Sequence, residues 1–391
     1  MITAVICTIV ASFVGNDENV KGKIVDTETN NPISYAHIII ENTHIGTITN
    51  EEGKFSLFIS NNYLNSNLII THVGYEKLII SPKEVSPFLN IQLRPVAITL
   101  DEVTISSLNP FEIIKEANNR RKENYPFSPS RLTGFYRHGI KVDGIYTQFL
   151  EASLEIIFPH YGLITNQSKV DREVYVNELR VFENINFYSV SPYRMFDDLF
   201  FVFAPEETYA AEIMTEKTNN QEIAIKATPK ILTSGLPGFE LIIDRESYAF
   251  KDVTYYIPTE FWETRGYTER TIQTKEGKKM IKERRTLARI QYSFYNHKNK
   301  WYLKQVNQLS KFAILDGSES KDVVYFINYV TQNVNESVSG LSKKNFLEKD
   351  QNIYSLKRKN NNSFWKSFPI IEPSPEQLEI INIITESENK R

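Results

Sequence analysis

Cysteine is almost absent from this sequence, since Cys7 is the only one among 391 residues. It lies in an apolar amino-terminal segment, and removal of that segment would leave no cysteine, which excludes a disulfide framework, a thiol nucleophile and a thiolate metal site. Glycine and proline are also few, at 15 and 16 residues, which argues against long disordered tracts. The net charge of −3 argues against a general nucleic-acid binder, so we expect no nucleic acid as partner.

Recognisable catalytic and metal-binding motifs are missing as well. None of the six histidines is followed by Glu three residues later, and the sequence holds no His-Glu-x-x-His, Gly-x-Ser-x-Gly, Walker or Gly-x-Gly-x-x-Gly motif. His37 and His72 lie in or beside predicted strands, and we interpret them as packed or surface residues. The turn at Asn50–Glu52 lacks the acidic spacing of a calcium loop.

A pair of carboxylates could still supply glycosidase chemistry. Glu151 and Glu155 share one face of a predicted strand, but a four-residue spacing separates them by about 13 Å, whereas glycosidase carboxylates lie roughly 5–9.5 Å apart. We therefore predict no catalytic, cofactor-binding or metal-ligating residue, no cofactor and no enzymatic activity. A hydrolase whose site is assembled from scattered residues is the alternative.

The amino terminus carries an uncharged apolar run over residues 2–14. This run is too short to span a bilayer as a helix, which takes about 20 residues, and it resembles the apolar part of a signal peptide, with Val10-Ala11-Ser12 as a cleavage site. No Lys or Arg precedes it, so either a basic start was lost or the segment is not a signal. We predict that residues 1–15 direct export; lipidation of Cys7 is disfavoured by the preceding Ile6.

Residues 18–105 show the pattern of a small β-sandwich. Short runs with period-two alternation are separated by turn formers, and Gly53 supplies a positive-φ position that lets the strand Lys54–Ile59 pair back. About seven strands at this spacing predict an antiparallel, seven-stranded sandwich. We expect Gly53→Val to destabilise it by more than about 1 kcal/mol, because a β-branched residue disfavours φ > 0.

Several residues of this segment recur at offsets typical of one family. They are Gly22, Asp26, Pro32, Ile33, Ala36, Gly46, Thr47, Thr49, Gly53, Phe55, Gly74 and Tyr75, followed by Leu100-Asp101-Glu102-Val103. In this order they resemble the carboxypeptidase regulatory-like domain. The resemblance implies a transthyretin-like β-sandwich of the Gram-negative cell envelope that is not itself catalytic.

The pattern of the remaining sequence predicts a helix, a larger β domain and a tail. Asn109-Pro110 begins a helix within a linker at 106–130. Residues 131–335 alternate in long strands joined by turns such as Asp143-Gly144, which predicts a bent antiparallel sheet with few helices and with Met195–Phe203 covering one face. Residues 336–391 form a polar tail with a terminal helix capped by Ser374, anchored by Phe364-Trp365.

These features favour a non-catalytic exported protein of the periplasm or outer membrane. The sandwich would act as a docking or stability module, and the larger β domain as a binding or scaffold element for an envelope protein, a glycan or a lipid. An accessory role in outer-membrane import is a further alternative. Nine Lys and Arg against three Glu between Arg265 and Arg289 predict a solvated hairpin; peripheral association with anionic lipid or polysaccharide is the functional interpretation.

Overall fold

The structure is a computed structural model, and it describes residues 18–81, 88–96, 108–158, 172–183, 190–196, 202, 204–274, 277–356 and 361–389. The predicted export segment at 1–15, Cys7 and the Leu100–Val103 exit segment lie outside these ranges. Every helix in the described ranges is too short or too polar to cross a membrane.

Residues 18–93 form the predicted sandwich (called the sandwich below). Its strands are β1 (Glu18–Asp26), β2 (His37–Ile40), β3 (Gly46–Ile48), β4 (Lys54–Ile59), β5 (Leu68–Thr71), β6 (Leu78–Ile80) and β7 (Phe88–Leu93). One sheet has the order β4-β1-β7 and the other β3-β2-β5-β6. Buried aliphatic residues such as Ile24, Ile38 and Leu57 fill the space between them. The mainly β fold class is thus confirmed, with one correction: β7 pairs with β1 in parallel, because the chain crosses between the sheets before β7.

Gly53 occupies the turn before β4 with φ of 72°, as the sequence predicts. A Cβ atom there would lie 2.5 Å from the Ile24 carbonyl oxygen. At Gly144, which also has a positive φ of 82°, a Cβ would meet no atom within 4 Å. The two glycines therefore share backbone conformation but differ in the space around them.

This difference gives a matched test. Gly53→Ala combines positive-φ strain of about 1–2 kcal/mol with an overpacking cost of about 1–3 kcal/mol, whereas Gly144→Ala carries only the strain. We expect a clearly larger fall in the free energy of unfolding for Gly53→Ala, measured by urea denaturation. Equal losses in the two variants would contradict the contact with Ile24.

A linker helix joins the two β parts. Helix α1 (Pro110–Asn119) is capped by the Asn109 side chain, which accepts the backbone N–H of Phe111 at 2.9 Å, and Pro110 occupies the first helical position as predicted. A short helix α2 (Arg121–Asn124) follows. The buried face of α1, which includes Ile114, packs on the larger sheet. A helix of this length is only marginally stable in isolation, so this packing stabilises it.

The second part is one large open sheet. Its strands are β8 (Ser130–Val142), β9 (Ile145–Phe158), β10 (Glu173–Glu183), β11 (Tyr209–Ile213), β12 (Glu222–Pro229), β13 (Gly238–Asp244), β14 (Phe250–Tyr256), β15 (Thr268–Thr274), β16 (Gly277–His297), β17 (Lys300–Asp316), β18 (Glu319–Asn335) and β19 (Phe346–Leu347). Their order is β11-β12-β13-β14-β16-β17-β18-β8-β9-β10-β19, with β15 paired to β16, and every pair is antiparallel. Helix α3 (Thr259–Thr264) interrupts this series.

The pairing register decides which side chains share a face, because directly paired residues point the same way. One row across the sheet runs through Tyr136, Tyr329, Val306, Tyr292, Val253 and Leu241. These residues are in the main core, so we call this the inner face. It is covered by α1 and by segments that include Met195, Phe196, Val202 and Ile353, which confirms the covering role predicted for the described part of 195–203.

The adjacent row marks the outer face, and it is partly polar. It runs through Phe135, Val330, Gln305, Ser293, Asp252 and Ile242. The sandwich and the tail cover this face, and Ile48 of the sandwich joins Phe135 and Val330 in a small apolar cluster with Trp365 and Ile371. The central strands of the large sheet are therefore covered on both faces from within the chain, and Trp301 and Tyr302 are buried.

The tail crosses the junction between the sandwich and the large sheet. Helices α4 (Asn362–Ser367) and α5 (Pro375–Asn389) flank an extended strap at Pro369–Glu372. Four successive strap carbonyls accept hydrogen bonds at 2.8–3.2 Å from Gln332, Thr47, Arg137 and Asn50. Ser374 caps α5 as predicted, in a reciprocal arrangement with Gln377. Since two donors belong to the sandwich and two to the large sheet, the strap links both.

A buried ion cluster lies beneath this strap. Glu151 accepts hydrogen bonds from Arg137 Nε at 2.7 Å and from Arg180 Nε at 2.5 Å, and its side chain is wholly buried. The Arg180 guanidinium lies 4.7 Å from the centroid of a Trp365 ring. Burial raises the pKa of the Glu151 carboxyl, but the two guanidinium groups outweigh burial and lower that pKa overall.

Candidate functional site

A cleft lined by both polar and apolar side chains separates the sandwich from the outer face of the large sheet. Its volume is about 320 Å³. The sandwich contributes the turn before β2 and the end of β5, and the large sheet contributes β12, β13, β14, β16 and β17. Its charged and hydrogen-bonding side chains include His37, His72, Glu216, Lys217, Glu222, Glu240, Lys251, Asp252, Arg289, Gln291, Ser293 and Gln305.

A register shift in β14 brings two charged neighbours into this cleft. Phe250 pairs with Ile243 and Asp252 with Ile242, so Lys251 is an extra residue in the ladder. Consecutive strand residues normally point to opposite faces, but a β-bulge can direct two of them to one side. Lys251 and Asp252 both line the cleft, while Phe250 and Val253 lie in the core.

A second shift occurs in β17, below the same cleft. Ser293 pairs with Gln305 and Phe294 with Leu303, which leaves Lys304 as the extra residue. The Lys304 side chain is fully buried and donates to the Thr331 carbonyl at 2.8 Å. Burial lowers the pKa of the Lys304 amine to about 7. The sheet therefore carries two inserted lysines, one lining the cleft and one under it.

Hydrogen bonds fix the polar side chains of the cleft. Gln291 Nε2 donates to Asp252 Oδ1 at 3.1 Å, and the Ser293 hydroxyl donates to the same oxygen. Lys251 donates to Glu222 Oε1. The His37 ring and Gln305 Oε1 lie 3.2 Å apart across the junction, which joins the sandwich to the sheet.

Burial sets the charges in the cleft. It raises the pKa of Asp252 to about 7, and the negative charge of Glu222 adds to this, while the hydrogen bonds from Ser293 and Gln291 oppose it. Burial also lowers the pKa of His37 to about 3, and it lowers the pKa of His72. At neutral pH both imidazoles are neutral, whereas Asp252 lies near the midpoint of its titration.

The raised pKa of Asp252 predicts a pH-dependent stability. The folded protein holds a proton on Asp252 between about pH 4, where an unfolded Asp titrates, and about pH 7. Stability from this group is therefore present at low pH and is lost as pH rises through that window. We compare the change in the free energy of unfolding caused by Asp252→Asn at two pH values. This change should be more favourable at pH 8 than at pH 4, by at most roughly 4 kcal/mol.

Urea unfolding of both proteins at the two pH values measures this difference. An equal effect of the substitution at pH 4 and pH 8 would contradict the assigned titration.

Glu222 is the least satisfied group of the cleft. Its side chain is 8% exposed, and Oε1 accepts a hydrogen bond from Lys251, but Oε2 is buried without a hydrogen-bond partner among the described residues. A buried, unpaired carboxylate oxygen is unfavourable by about 1–3 kcal/mol or more, so this atom marks a place where a donor from outside the chain would be stabilised.

Sequence reasoning assigned no residue to this site. His37 and His72 were interpreted as packed or surface residues, and both line the cleft from half-buried positions. The lining residues span positions 34 to 305, belong to common strand types and match no motif. The only signal was the placement of polar residues in strands whose neighbours are apolar. Within the described ranges no group of three His, Cys, Asp or Glu side chains is arranged to hold a metal ion.

Two other sequence predictions have a clear structural outcome. The basic run forms a hairpin of β15 and β16, where Arg270 pairs with Glu283 at 3.4 Å and Lys282 with Glu269 at 3.9 Å. Glu151 and Glu155 do share a strand face, but each is paired to arginine rather than directed into the cleft. Association of the hairpin with lipid or polysaccharide stays a prediction.

Comparison with known families gives one clear match. Residues 20–105 match the model of the CarboxypepD_reg-like domain. These residues form a carboxypeptidase regulatory-like domain. The match covers the described sandwich from residue 20 onward and none of the large sheet, so the cleft lies at the border between the regulatory-like domain and a part outside the match. No curated protein matches the chain.

Solved structures give only remote similarities. A domain described as an outer membrane lipoprotein-sorting protein from Vibrio parahaemolyticus is 11% identical, covers 60% of this chain and 96% of its own, and has a TM-score of 0.26. The LolA superfamily protein NE2245 from Nitrosomonas europaea is 10% identical, with coverages of 62% and 99% and a TM-score of 0.22. The MucA/MucB complex from Pseudomonas aeruginosa is 11% identical, with coverages of 58% and 99% and a TM-score of 0.19. Similarity at this level supports no argument about function.

Proposed function

We propose that this chain is a non-catalytic, exported envelope protein that binds a polar ligand, such as a glycan or a peptide segment, in the cleft beneath its regulatory-like domain. The observation that carries the proposal is the unpartnered, buried Oε2 of Glu222 in a cleft of about 320 Å³. Binding sites are concave and contain a few polar groups held in place by their neighbours. Gln291 and Ser293 hold Asp252 in this way.

The regulatory-like domain has a defined part in this proposal. It forms one wall of the cleft through His37 and His72 and is held on the large sheet by the strap and by the Ile48 cluster. It therefore acts as the docking module, while the large sheet supplies most of the charged groups. A lipid is a poorer ligand than a glycan or a peptide, because the cleft floor is a row of polar side chains.

A cleft-filling variant tests the proposal. Val73 lines the cleft from a half-buried position in a loop, so Val73→Trp places a large ring there. Thr271→Trp, at an exposed position of β15, is the matched control. We expect native mass spectrometry with short oligosaccharides and peptides to show binding by the natural chain and the control, but not by Val73→Trp. Absence of binding, or binding retained by Val73→Trp, would overturn the proposal.

Asp252 favours a second candidate function, hydrolysis. A carboxyl whose pKa is raised to about 7 beside a second carboxyl resembles the general acid of a hydrolase. Oligosaccharides that bind should then be cleaved at a rate that Asp252→Asn abolishes. Binding without cleavage over days supports the non-catalytic proposal.

Export is tested separately. Mass spectrometry of fractionated cells should find the chain outside the cytoplasm, without residues 1–15. An intact amino terminus on cytoplasmic protein would contradict export.

A further inference from the structure

The cleft has an unbalanced charge at one end. Arg289 lies 3.5 Å from Glu240, which leaves those two side chains paired with each other. Deeper in the cleft, Lys251 is the cation that donates to Glu222, and Asp252 follows Lys251 in β14. Lys217 also lines the cleft, and the charge of its neighbour Glu216 offsets it. His37 and His72 are neutral at neutral pH and add no positive charge. Among the lining side chains, the deep end therefore carries an excess of negative charge whenever Asp252 is ionised. The buried Lys304 beneath the cleft offsets this excess while its amine is protonated.

The hydrogen bonds at this end leave room for one kind of group. Lys251 uses Oε1 of Glu222 and leaves Oε2 buried without a partner. On Asp252, both neighbouring donors, Gln291 and Ser293, converge on Oδ1. A group that fits beside these carboxyls must donate hydrogen bonds, and a positive charge would also remove the electrostatic imbalance.

We infer that the Glu222 end of the cleft recognises its ligand through a protonated amine. This inference rests on the proposed function, because it names the chemistry of the ligand for the same cleft. An organic ammonium group fits better than a metal ion, since the described residues offer no group of three metal-ligating side chains. Amino sugars, peptide amino termini and polyamines all carry this group.

Matched probes separate the amine from the rest of the ligand. We compare 1,5-diaminopentane with 1,5-pentanediol, glucosamine with N-acetylglucosamine, and a dipeptide amide with its N-acetylated form, each by isothermal titration calorimetry. The first pair tests the charge alone, and the other two distinguish a sugar from a peptide as the source of the amine. We expect the amine to bind at least about tenfold more tightly in one or more pairs, since hydrogen bonds to charged groups contribute about 1.5–3 kcal/mol.

Variants assign the preference to the predicted carboxyl. Glu222→Gln keeps the shape of the side chain and removes its charge, so it should reduce the preference for the amine by about tenfold. Glu212→Gln removes an equal charge from an exposed position of β11 outside the cleft and should leave the preference unchanged. A preference retained by Glu222→Gln would overturn the inference.

A second readout uses the natural chain and needs no variant to fold. An ammonium group beside Asp252 favours its ionised form, so binding near pH 6 should release a proton from Asp252. Calorimetry in two buffers of different ionisation enthalpy measures this release. Amine binding with no proton release would overturn the contact with Asp252.

The outcomes distinguish this inference from the proposed function. If amine and neutral probes bind equally and Val73→Trp abolishes both, the cleft is a binding site but the amine inference is wrong. If none of the probes or the ligands tested above binds, both are wrong.

Discussion

Glu151→Ala should be the most destabilising single substitution among those considered, with a loss of about 3–5 kcal/mol in the free energy of unfolding. Glu151 is wholly buried and accepts hydrogen bonds from both Arg137 and Arg180. Its removal leaves two guanidinium groups in the interior with no carboxylate. Urea denaturation followed by tryptophan fluorescence measures the loss.

Glu155→Ala is the matched control for this substitution. Glu155 lies on the same face of β9 and also faces an arginine, but its side chain is 19% exposed and lies 3.8 Å from Arg131. Exposed ion pairs contribute about 0–1 kcal/mol, so the control should lose little. Comparable losses in the two variants would show that the buried cluster is not the main contribution of Glu151.

Acid provides an independent check on the same cluster. The pKa of Glu151 is lower in the folded chain than the value of about 4.3 in an unfolded one. Its contribution is therefore present above about pH 4 and is lost as pH falls through the folded pKa. Glu151→Gln should lack this acid-dependent component of the unfolding free energy.

Trp365→Ala should have the second largest effect, about 3–5 kcal/mol. Trp365 belongs to tail helix α4, where it is buried, packs with Phe135 and Val330, and lies against the Arg180 guanidinium. Truncation leaves a cavity at the junction and removes a contact that holds the strap. We expect loss of stability in urea together with rapid proteolysis of the tail.

Trp365→Phe is the control, because it keeps an aromatic ring against Arg180. It should remain resistant to protease and lose much less stability. A Trp365→Ala protein with a resistant tail would contradict the anchoring role of this residue.

The sequence was sufficient to predict the elements whose ends carry turn chemistry. Gly53 and Asp143-Gly144 require positive φ, and both turns are found where predicted, with φ of 49° at Asp143. The helix at Asn109-Pro110 was predicted for the same reason, because capping is a local interaction. Anchoring of the tail by Phe364-Trp365 was predicted because these two apolar residues lie in an otherwise polar stretch.

Other elements could not be predicted because non-local pairing determines them. The basic hairpin was predicted, but not that its second strand continues from Gly277 to His297 as one strand, β16. Backbone pairing with β15 from Gly277 and with β17 from Lys282 stabilises the basic half of this strand. Strand β19, at Phe346–Leu347, is only two residues long and forms by pairing with β10. The basic half of β16 and the strand β19 have no hydrophobic period of their own.

The cleft could not be predicted from the sequence because it also depends on non-local pairing and burial. Lys251 and Asp252 share a face only because of a bulge, and a bulge has no sequence signature in a strand of this composition. The raised pKa of Asp252 and the unpaired oxygen of Glu222 depend on burial beneath a domain that lies far away in the sequence.

Hydrogen exchange measured by mass spectrometry, with and without a saturating ligand identified by the binding screen, tests the central claim most directly. If the ligand binds in the cleft, we expect slower amide exchange at the cleft segments 34–37, 71–74, 251–254 and 289–293, which come from both the regulatory-like domain and the large sheet. Slower exchange confined to segments outside the cleft, such as the β15–β16 hairpin, would contradict it.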